Sequence, residues 1–520
     1  MSIKRLKIPT SILATLRENC GELTGIRRGI EKESLRVAPD GNLSTRSHPH
    51  ELGSPLTHPN ITTDFSEAQL ELITGVHATP EACIRQLHDV HRYVYSCLDD
   101  ELLWVASMPC FVGEEADIPV GRYGSSNIGT AKTVYRLGLG HRYGRLMQTI
   151  SGIHYNFSLP QAFWERYAAL LGRTPGQDFV TDCYFGLIRN FRRHSWLLTW
   201  LFGASPAICR SFARNLDHGL AGFDEGTLYL PWATSLRMGR LGYQSNAQSG
   251  LHISYNSLDS YARTMHLALT RSYPPYESIG VKVDGAYRQL NTALLQIENE
   301  FYGAIRPKRR IRSGERPLTA LRRRGVEYVE VRCLDLNPFL RVGIDEQQIR
   351  FMDTFLLCCL LAESPGDSPE ESAENEAVQL AVVERGREPG LRLGGERRDN
   401  LTGAILSRCA EVAELLDRAH DSDLYTDALE QQQARARNAS LTPSARILEM
   451  MASQKTPFFR FALNQSIAHK GYFDEHPPTG REMDRQQARA RRSFNDQEAI
   501  EAADEVDFDT FLESYLKPPQ

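Results

Sequence analysis

The segment from Gly25 to Val37 constrains the fold more than any other part of the chain. It reads G-I-R-R-G-I-E-K-E-S-L-R-V and places two glutamates two positions apart in a run that favours a β-strand. Because successive side chains of a strand point to opposite faces, Glu31 and Glu33 share one face and Lys32 lies on the other. A sheet keeps two like charges on one face only where both are solvated or where a cation lies between them. The segment is therefore either a solvated edge strand or part of a cation site.

Three later segments, at residues 149–159, 294–302 and 325–335, repeat this alternation of polar and apolar side chains. Read as strands, they present polar faces made of His154 and Asn156, of Gln296, Glu298, Glu300 and Tyr302, and of Tyr328, Glu330 and Arg332. Each face collects groups that bind cations, phosphates or carboxylates. We predict a sheet with one packed face and one functional face, which binds a hard divalent cation beside a polyanion.

A further acidic segment, I-T-T-D-F-S-E-A-Q-L-E-L-I-T, covers residues 61–74. Its last part alternates as a strand with Glu71 at the centre, whereas a helix would align Asp64, Glu67 and Glu71 on one side. Both interpretations direct Glu71 to a polar face. We therefore expect this carboxylate on the functional side of the sheet.

Composition argues against several other classes of protein. The chain has 520 residues and a net charge of −5, and its basic residues do not gather with exposed aromatic residues, so we expect no nucleic-acid partner. It has no run of eighteen apolar residues and no apolar stretch after its basic N-terminal residues, so we expect neither a membrane partner nor a secretory signal. The ten cysteines form no C-x-x-C pair, which indicates mostly buried, reduced thiols in a cytoplasmic protein.

Apolar spacing predicts helices at residues 1–20, 80–102 and 161–209. From Asp345 onward, long helices rich in charged residues dominate the chain. We therefore predict an α+β protein with a catalytic sheet-and-helix region over residues 1–345. Residues 346–520 would form a mostly helical region that packs with it as part of one large domain.

Seven ordered motifs cover about residues 25–339. They read G-I-x-R-G-I-E-x-E-S-L-R-V, T-T-D-F-S-E-A, Y-G-x-S-N-x-G, M-Q-T-I-S-G-I-H-Y-N-F-S-L-P, L-F-G-A-S-P-A-I-C, Q-I-E-N-E-F-Y-x-x-I-R-P-K-R and Y-x-E-V-R-C-L-D-L-N-P-F. Together they closely resemble the bacterial, proteobacterial-type glutamate–cysteine ligases, or γ-glutamylcysteine synthetases. The resemblance implies a curved, mainly antiparallel sheet that forms a funnel like that of glutamine synthetase, with helices outside. It also implies the first step of glutathione biosynthesis, in which ATP, L-glutamate and L-cysteine give γ-glutamylcysteine through γ-glutamyl phosphate.

The resemblance also implies roles for the polar faces. The metal site, for Mg²⁺ or alternatively Mn²⁺, would be formed by Glu31, Glu33, Asp64, Glu71, His154 and Glu330. The expected catalytic residues are Glu330 and Arg332, and Arg332 would meet the γ-phosphate of ATP as charge develops on it. Gln296 is a second candidate for nucleotide contact. The alternative for Arg332 is a structural ion pair with Glu330.

Substrate contacts are implied in the same way. Arg136 and Arg237 suit the α-carboxylate of glutamate, because a guanidinium group binds carboxylates in bidentate fashion. Cysteine would lie among Phe65, Tyr135, Leu139, Gln148, Tyr243 and Tyr302. Aromatic rings suit a thiol, since sulfur and ring edges attract by roughly 0.3 to 1.5 kcal/mol. The alternative for each aromatic residue is an ordinary position in the core.

Two other functions stay open from the sequence. One is a different carboxylate–amine ligase on the same scaffold, which uses ammonia or another amino acid as the acceptor; a site for ammonia would have no use for a thiol-sized pocket. The other is a catalytically inactive relative that senses metal or glutathione, in which metal carboxylates or the phosphate arginine would be lost. All of these residues are present here. Family resemblance further suggests a monomer with feedback inhibition by glutathione.

Overall fold

The computed structural model describes residues 4–110, 113–214, 218–241, 247–248, 250–312 and 314–517. Its strands are β1 (Arg27–Val37), β2 (Ile61–Thr63), β3 (Gln69–Ile73), β4 (Leu102–Leu103), β5 (Ile153–Ser158), β6 (Ala207–Cys209), β7 (Ala221–Gly222), β8 (Thr227–Tyr229), β9 (Lys282–Val283), β10 (Ala286–Tyr287), β11 (Ile305–Lys308), β12 (Tyr328–Leu334), β13 (Arg392–Leu393) and β14 (Glu396–Arg397). Its α-helices are α1 (Thr10–Glu18), α2 (Pro80–Tyr95), α3 (Asn127–Tyr143), α4 (Gln161–Leu170), α5 (Gln177–His194), α6 (Trp196–Phe202), α7 (Leu258–Thr270), α8 (Pro274–Ile279), α9 (Pro317–Arg324), α10 (Glu346–Leu361), α11 (Pro369–Arg385), α12 (Arg398–His420), α13 (Leu424–Arg437), α14 (Pro443–Ser453), α15 (Phe458–Glu475), α16 (Gly480–Ala502) and α17 (Phe508–Leu516).

The main sheet has the strand order β11-β12-β5-β1-β3-β2, and β4 pairs with the end of β1. All of these pairings are antiparallel. β1 lies inside the sheet, between β5 and β3. The interpretation of residues 25–37 as a solvated edge strand is therefore wrong, because both edges of this strand are paired.

One face of the main sheet is packed against helices. The apolar side chains of the alternating segments, such as Ile30, Phe157 and Val331, are fully buried in the largest hydrophobic cluster. α10 joins the same cluster and is buried along almost its whole length. Its second half, from Phe355 to Leu361, is apolar on every side, as expected of a helix at the centre of a large core. The predicted α+β class, with an antiparallel sheet and a helical C-terminal region, is confirmed.

A buried ion pair connects the sheet to α10. The Arg28 Nη2 atom on β1 lies 2.9 Å from Asp353 Oδ2 on α10, and both side chains are fully buried. The Tyr155 hydroxyl on β5 donates a 2.5 Å hydrogen bond to Asp353 Oδ1. Removing one partner of such a pair leaves the other charge unpaired in the core, which typically lowers the free energy of unfolding by about 3–5 kcal/mol. The pair therefore fixes α10 behind the strands that carry the polar face.

Two predictions of secondary structure are corrected. Residues 294–302 do not form a strand, because Glu298–Glu300 is a short 3₁₀ turn and both of its carboxylates are buried in ion pairs, Glu298 with Arg316 and Glu300 with Arg142. The helix expected over residues 80–102 ends at Tyr95, and Leu102, the last residue of that range, begins β4, which pairs with β1.

Eight free cysteines agree with the expectation of mostly reduced thiols, but one disulfide bond is also present. Cys110 and Cys209, which are 99 residues apart in sequence, are joined by it. The other eight cysteines are free, and six of them are buried. Within the described ranges, no helix is long and apolar enough to cross a membrane.

Candidate active site

Three neighbouring strands bring a carboxylate–imidazole cluster together on the polar face of the sheet. Glu31 on β1 lies opposite His154 on β5, and Glu330 on β12 lies opposite Asn156 on β5. One ligand atom from each of Glu31, His154 and Glu330 falls within 4.8 Å of the others. We call these three residues the cation cluster. Their spacing matches a site in which one ion contacts all three side chains.

The imidazole of His154 lies between two glutamates. Its Nδ1 atom is 3.2 Å from Glu31 Oε2, and its Nε2 atom is 3.5 Å from Glu33 Oε1. Burial and the nearby Arg332 lower the pKa of His154, although the carboxylates oppose this. The ring is therefore neutral at pH 7, which is the form that binds a metal.

Glu33 and Glu71 form a second acidic group beside the cluster. They are direct cross-strand partners on β1 and β3. Burial and the carboxylate of Asp64 raise the pKa of Glu33 to about 8. Burial, Glu31 and Asp64 raise the pKa of Glu71 well above its usual range. Such crowding of buried carboxylates is relieved by a divalent cation, so the donor set fits a hard cation with oxygen ligands.

Three cations from β11 and β12 lie close to the Glu330 carboxylate. Lys308 Nζ on β11 lies 2.9 Å from Glu330 Oε1, while Arg332 Nη1 and Arg306 Nη1 lie 3.1 and 4.0 Å from Oε2. Burial alone would raise the pKa of Glu330, but Lys308 and Arg332 hold it well below the usual range. Glu330 is therefore a carboxylate anion shared between the cation cluster and a basic group.

Sequence reasoning missed Lys308 and Arg306. The signal was present in the motif I-R-P-K, where these two cations alternate with Ile305 and Pro307. On β11 this alternation directs both toward Glu330 on β12, because Arg306 is its cross-strand partner. The predicted Arg332 lies where both of its proposed roles can operate. Its side chain is 21% exposed and forms the ion pair with Glu330, yet its Nη1 atom is also 3.5 Å from His154 Nδ1.

The two arginines expected to hold glutamate, Arg136 and Arg237, both contact groups of the protein itself in this structure, and they lie in different places. Arg136 on α3 donates hydrogen bonds to the backbone oxygens of Asp64 and Lys132, and its guanidinium lies 4.4 Å from the centre of the Tyr123 ring. Arg237 is 1% exposed, donates to the Arg332 backbone oxygen over 3.0 Å, and lies 3.6 Å from Asp335. These contacts connect Arg237 to the end of β12, and its positive charge lowers the pKa of Glu33 on the polar face.

Lys132 is a second cation of α3 that sequence reasoning did not single out. Its Nζ atom lies 4.7 Å from the centre of the Tyr123 ring, on which Arg136 also stacks. Burial and Arg136 lower its pKa to about 8, while Glu71 and Asp64 act in the opposite direction. The spacing of four residues puts Lys132 and Arg136 on one face of the helix, beside the acidic group.

The expected nucleotide contact Gln296 is fully buried away from the cation cluster. Its Oε1 atom accepts from the Leu290 amide over 2.9 Å, and its Nε2 atom donates to the Tyr135 backbone oxygen over 3.2 Å. A side chain at Gly138 would collide with it. Gln296 therefore positions α3 in this structure.

Five of the six residues expected around cysteine lie in the described part of the chain, near the middle and the C-terminal part of α3. Phe65 and Leu139 belong to one buried cluster, against which Tyr135 packs. Gln148 donates a 3.2 Å hydrogen bond to the Tyr302 hydroxyl. The pKa of the Tyr135 hydroxyl is raised well above its usual range by burial, Glu300 and Tyr302, which places Tyr302 close by. Tyr243 lies outside the described residues.

An antiparallel sheet that presents carboxylates and an imidazole beside three cations is suited to binding a divalent cation together with phosphate or carboxylate groups. Comparison with known proteins specifies the family. A family model described as glutamate–cysteine ligase matches residues 13–382. The chain belongs to the glutamate–cysteine ligase family, which confirms the resemblance and makes the protein an enzyme of the ligase class.

Relatives match almost the whole chain. The glutamate–cysteine ligase of Alcanivorax borkumensis is 51% identical over 505 residues, covering 95% of this chain and 96% of the relative. That of Saccharophagus degradans is 50% identical and covers 97% and 96%. A solved glutamate–cysteine ligase of Francisella tularensis in complex with AMP has a TM-score of 0.89 at 35% identity, covering 95% and 98%. A bifunctional glutathione synthetase of Pasteurella multocida has a TM-score of 0.70 at 25% identity, covering 90% of this chain and 55% of that one.

Proposed function

We propose that this protein joins the amine of L-cysteine to the γ-carboxylate of L-glutamate, with ATP converted to ADP and phosphate. The observation that carries the proposal is the cation cluster with Lys308, Arg306 and Arg332 gathered at Glu330. In the first step the carboxylate of glutamate attacks the γ-phosphorus of ATP, so two anions have to approach each other. A surface that supplies both metal ligands and fixed cations is suited to that task.

The residues that would hold a divalent cation are Glu31, His154 and Glu330, with Glu33 and Glu71 beside them. Mg²⁺ fits best because the donors are mainly carboxylate oxygens, and Mn²⁺ is accepted by the same set. When bound, the ion neutralises phosphate charge and orients the oxygens of ATP. Asn156 donates a 2.9 Å hydrogen bond to Glu31 Oε1, which fixes the direction of that ligand.

Phosphate contacts belong to the partly exposed cations. Arg332 reaches the polar face from β12 and Lys308 from β11, and their side chains are 21% and 26% exposed. A guanidinium can contact two phosphate oxygens at once, so Arg332 is suited to the γ-phosphoryl group as its charge spreads in the transition state. In the same complex Lys308 would compensate the charge of Glu330.

The glutamate carboxylate would be received beside α3, where Lys132 and Arg136 share one face. The cysteine side chain would lie among Tyr135, Tyr302 and Gln148, next to that helix. Once the γ-carboxylate carries phosphate, the cysteine amine attacks its carbonyl carbon and phosphate leaves. Because the acyl phosphate forms first, the acceptor has to be bound within reach of the polar face. The residues on α3 would hold it there.

Three further properties are part of the proposal. Reduced cysteine and ATP are both metabolites of the cytoplasm, which supports activity there. A monomer is supported by the position of the cation cluster, because its residues all come from adjacent strands of one chain. Feedback by glutathione would follow from the shared γ-glutamyl group, which competes for the glutamate position.

The decisive experiment measures phosphate release and the identity of the amide product, with ATP, glutamate and a panel of acceptors that includes cysteine, ammonia and 2-aminobutyrate. We expect cysteine to be preferred. Preference for ammonia would establish a different carboxylate–amine ligase, and no phosphate release with any acceptor would indicate the inactive relative. Glu31→Gln should raise the Mg²⁺ concentration needed for half-maximal activity by about tenfold or more. Glu165→Gln on the exposed surface of α4 is the control and should leave that concentration unchanged.

A further inference from the structure

Residues 480–517, which contain α16 and α17, cross back over the catalytic region and are called the strap below. From their sequence they are charged helices without a transferable motif. In the structure they contact the loops around Ser54 and Ser125 and the N-terminal half of α3. The strap therefore meets the helix that carries Tyr135 and Arg136.

α16 holds both loops through polar side chains. Ser493 Oγ accepts from the Ser54 amide over 2.9 Å, and Glu501 Oε1 accepts from the Ser125 amide over 2.7 Å. Gly124 has a φ of +78°, and a side chain there would overlap the Gln497 and Glu501 side chains. Only glycine lets the loop backbone approach α16 this closely in that conformation.

Asp504, just after α16, caps α3 from outside. Its Oδ2 atom accepts from the Asn127 amide, the first residue of α3, over 2.6 Å. The Asn127 side chain returns a 2.8 Å hydrogen bond to the Val506 backbone oxygen. A carboxylate at the N-terminus of a helix satisfies an otherwise unpaired amide and interacts favourably with the helix dipole. The first turn of α3 is thus fixed by the strap.

α17 covers the outer side of the same helix. Leu512 is buried in a cluster with Ala131 and Val134 of α3, and Phe508 packs against it. Tyr135 packs against this cluster and also against the one that contains Phe65 and Leu139. Tyr135 therefore lies between the strap and two other residues expected around cysteine, Phe65 and Leu139.

The loop before α3, at residues 119–121, is hydrogen-bonded to the segment that carries Phe65. The Gly121 amide donates to the Phe65 backbone oxygen over 2.9 Å, and the Glu67 amide donates to the Pro119 oxygen over 3.0 Å. A shift of the first turn of α3 would therefore be transmitted to Phe65 as well as to Tyr135. The cation cluster, in contrast, is carried by β1, β5 and β12, which are fixed from behind by α10.

We infer that the strap sets the position of α3 and thereby the affinity for the acceptor amino acid, and that Asp504 is the positioning residue for this effect. The inference rests on the proposed function, since it assigns the acceptor to the α3 side. Loosening the strap should change binding of the acceptor, and of glutamate through Lys132 and Arg136 on the same helix, while the metal and nucleotide side, built on the sheet, is left in place.

The test compares Asp504→Ala and Asp504→Asn with Asp496→Asn, using the full chain. Asp496 lies on the same strap in an exposed pair with Arg492, so it is a matched control. For Asp504→Ala we expect the KM for cysteine to rise roughly 3- to 10-fold, with the KM for ATP and the Mg²⁺ requirement changed less than about twofold. Asp504→Asn retains an acceptor oxygen and should recover part of the loss. Asp496→Asn should match the wild type.

Hydrogen exchange of the amides of residues 125–130 gives a readout that is independent of activity. It should accelerate in Asp504→Ala and stay unchanged in Asp496→Asn. Equal increases in the KM for ATP and for cysteine, or unchanged exchange and unchanged KM in Asp504→Ala, would overturn the inference. If Asp504→Ala does not fold, the same comparison is made with Asp504→Asn. If the wild type makes no γ-glutamylcysteine, the proposed function fails, and the exchange measurement still decides whether Asp504 fixes α3.

Discussion

Glu33 on β1 and Glu71 on β3 lie directly opposite each other on the polar face of the sheet. Burial and neighbouring carboxylates raise the pKa of both, and the opposing effect of nearby arginines, Arg237 on Glu33 and Arg136 on Glu71, is too small to offset them. Two carboxylates in such a position destabilise the metal-free protein and strengthen binding of a divalent cation.

Glu71→Gln should therefore have two opposite effects. The melting temperature of the metal-free protein at pH 7 should rise by a few degrees, because the raised pKa of Glu71 reflects a penalty on its ionisation in the folded state, which glutamine does not have. The further rise on adding Mg²⁺ should be smaller than in the wild type, because an anionic group near the ion is lost. Differential scanning calorimetry with chelator and with excess Mg²⁺ measures both. If Mg²⁺ raised the melting temperature of the two proteins equally, Glu71 would not be part of the metal environment.

Arg332→Lys tests the phosphate contact. Lysine keeps the charge and the attraction to Glu330, but it loses the planar group that can contact two phosphate oxygens. We expect kcat to fall by about tenfold to a hundredfold, with a much smaller change in the KM for ATP. A weaker KM for ATP at normal kcat would show that Arg332 binds the ground state, and wild-type kinetics would favour the structural ion pair.

The alternating strands could be predicted from sequence because the period of two is a local property. It correctly placed Glu31, His154, Glu330 and Arg332 on one face. The same alternation failed at residues 294–302, because Glu298 and Glu300 are held in a turn by Arg316 and Arg142 from distant segments. Those ion pairs depend on tertiary contacts, which no local pattern encodes.

The contacts of the strap and the disulfide could not be predicted from the sequence for the same reason. Asp504 meets Asn127 across 377 positions of sequence, and Cys110 meets Cys209 across 99. Neither pair has a periodic signal, since each is a single contact between segments that become neighbours only in the folded chain. Lys308 is a different case. Its alternation with Pro307 can be read from the sequence, but the sequence does not indicate that Glu330 is its partner.

Lys32 gives a prediction about pH. It lies on the packed face of β1, 4% exposed, with its Nζ atom 2.8 Å from His91 Nε2. His91 donates through Nδ1 to the Leu87 oxygen over 2.7 Å, so its Nε2 atom is free to accept from Lys32. Burial lowers the pKa of Lys32 from 10.5 to about 7.

Because this pKa is lower in the folded state, the unfolded chain binds an extra proton between pH 7 and 10.5. The free energy of unfolding should therefore rise with pH in that window and lose this contribution as pH falls toward 7, with a slope of about 1.4 kcal/mol per pH unit from this group. Lys32→Met lacks the slope, so its stability relative to the wild type should be greatest at pH 7 and decline toward pH 9. Urea unfolding at pH 7, 8 and 9 measures the difference. Parallel curves would mean that Lys32 is charged in the folded protein at neutral pH.

The acceptor pocket gives the most specific prediction. Tyr302 accepts a hydrogen bond from Gln148 through its hydroxyl, and its ring lies 5.8 Å from that of Tyr143. If the ring encloses the cysteine side chain, Tyr302→Ala should enlarge the pocket and weaken selection for the thiol. Tyr302→Phe keeps the ring and removes only the hydroxyl, so it should retain most of the selectivity.

A pocket of this kind separates cysteine from 2-aminobutyrate through few contacts, worth on the order of 1 to 3 kcal/mol. We expect the ratio of kcat/KM for cysteine to that for 2-aminobutyrate to fall in Tyr302→Ala and to change little in Tyr302→Phe. Isotope exchange between ATP and ADP in the presence of glutamate follows acyl-phosphate formation separately, and it should stay near the wild-type rate in both variants because the cation cluster is untouched. If the acceptor ratio is unchanged while this exchange collapses, Tyr302 belongs to the glutamate or ATP side, and its assignment to the acceptor pocket is wrong.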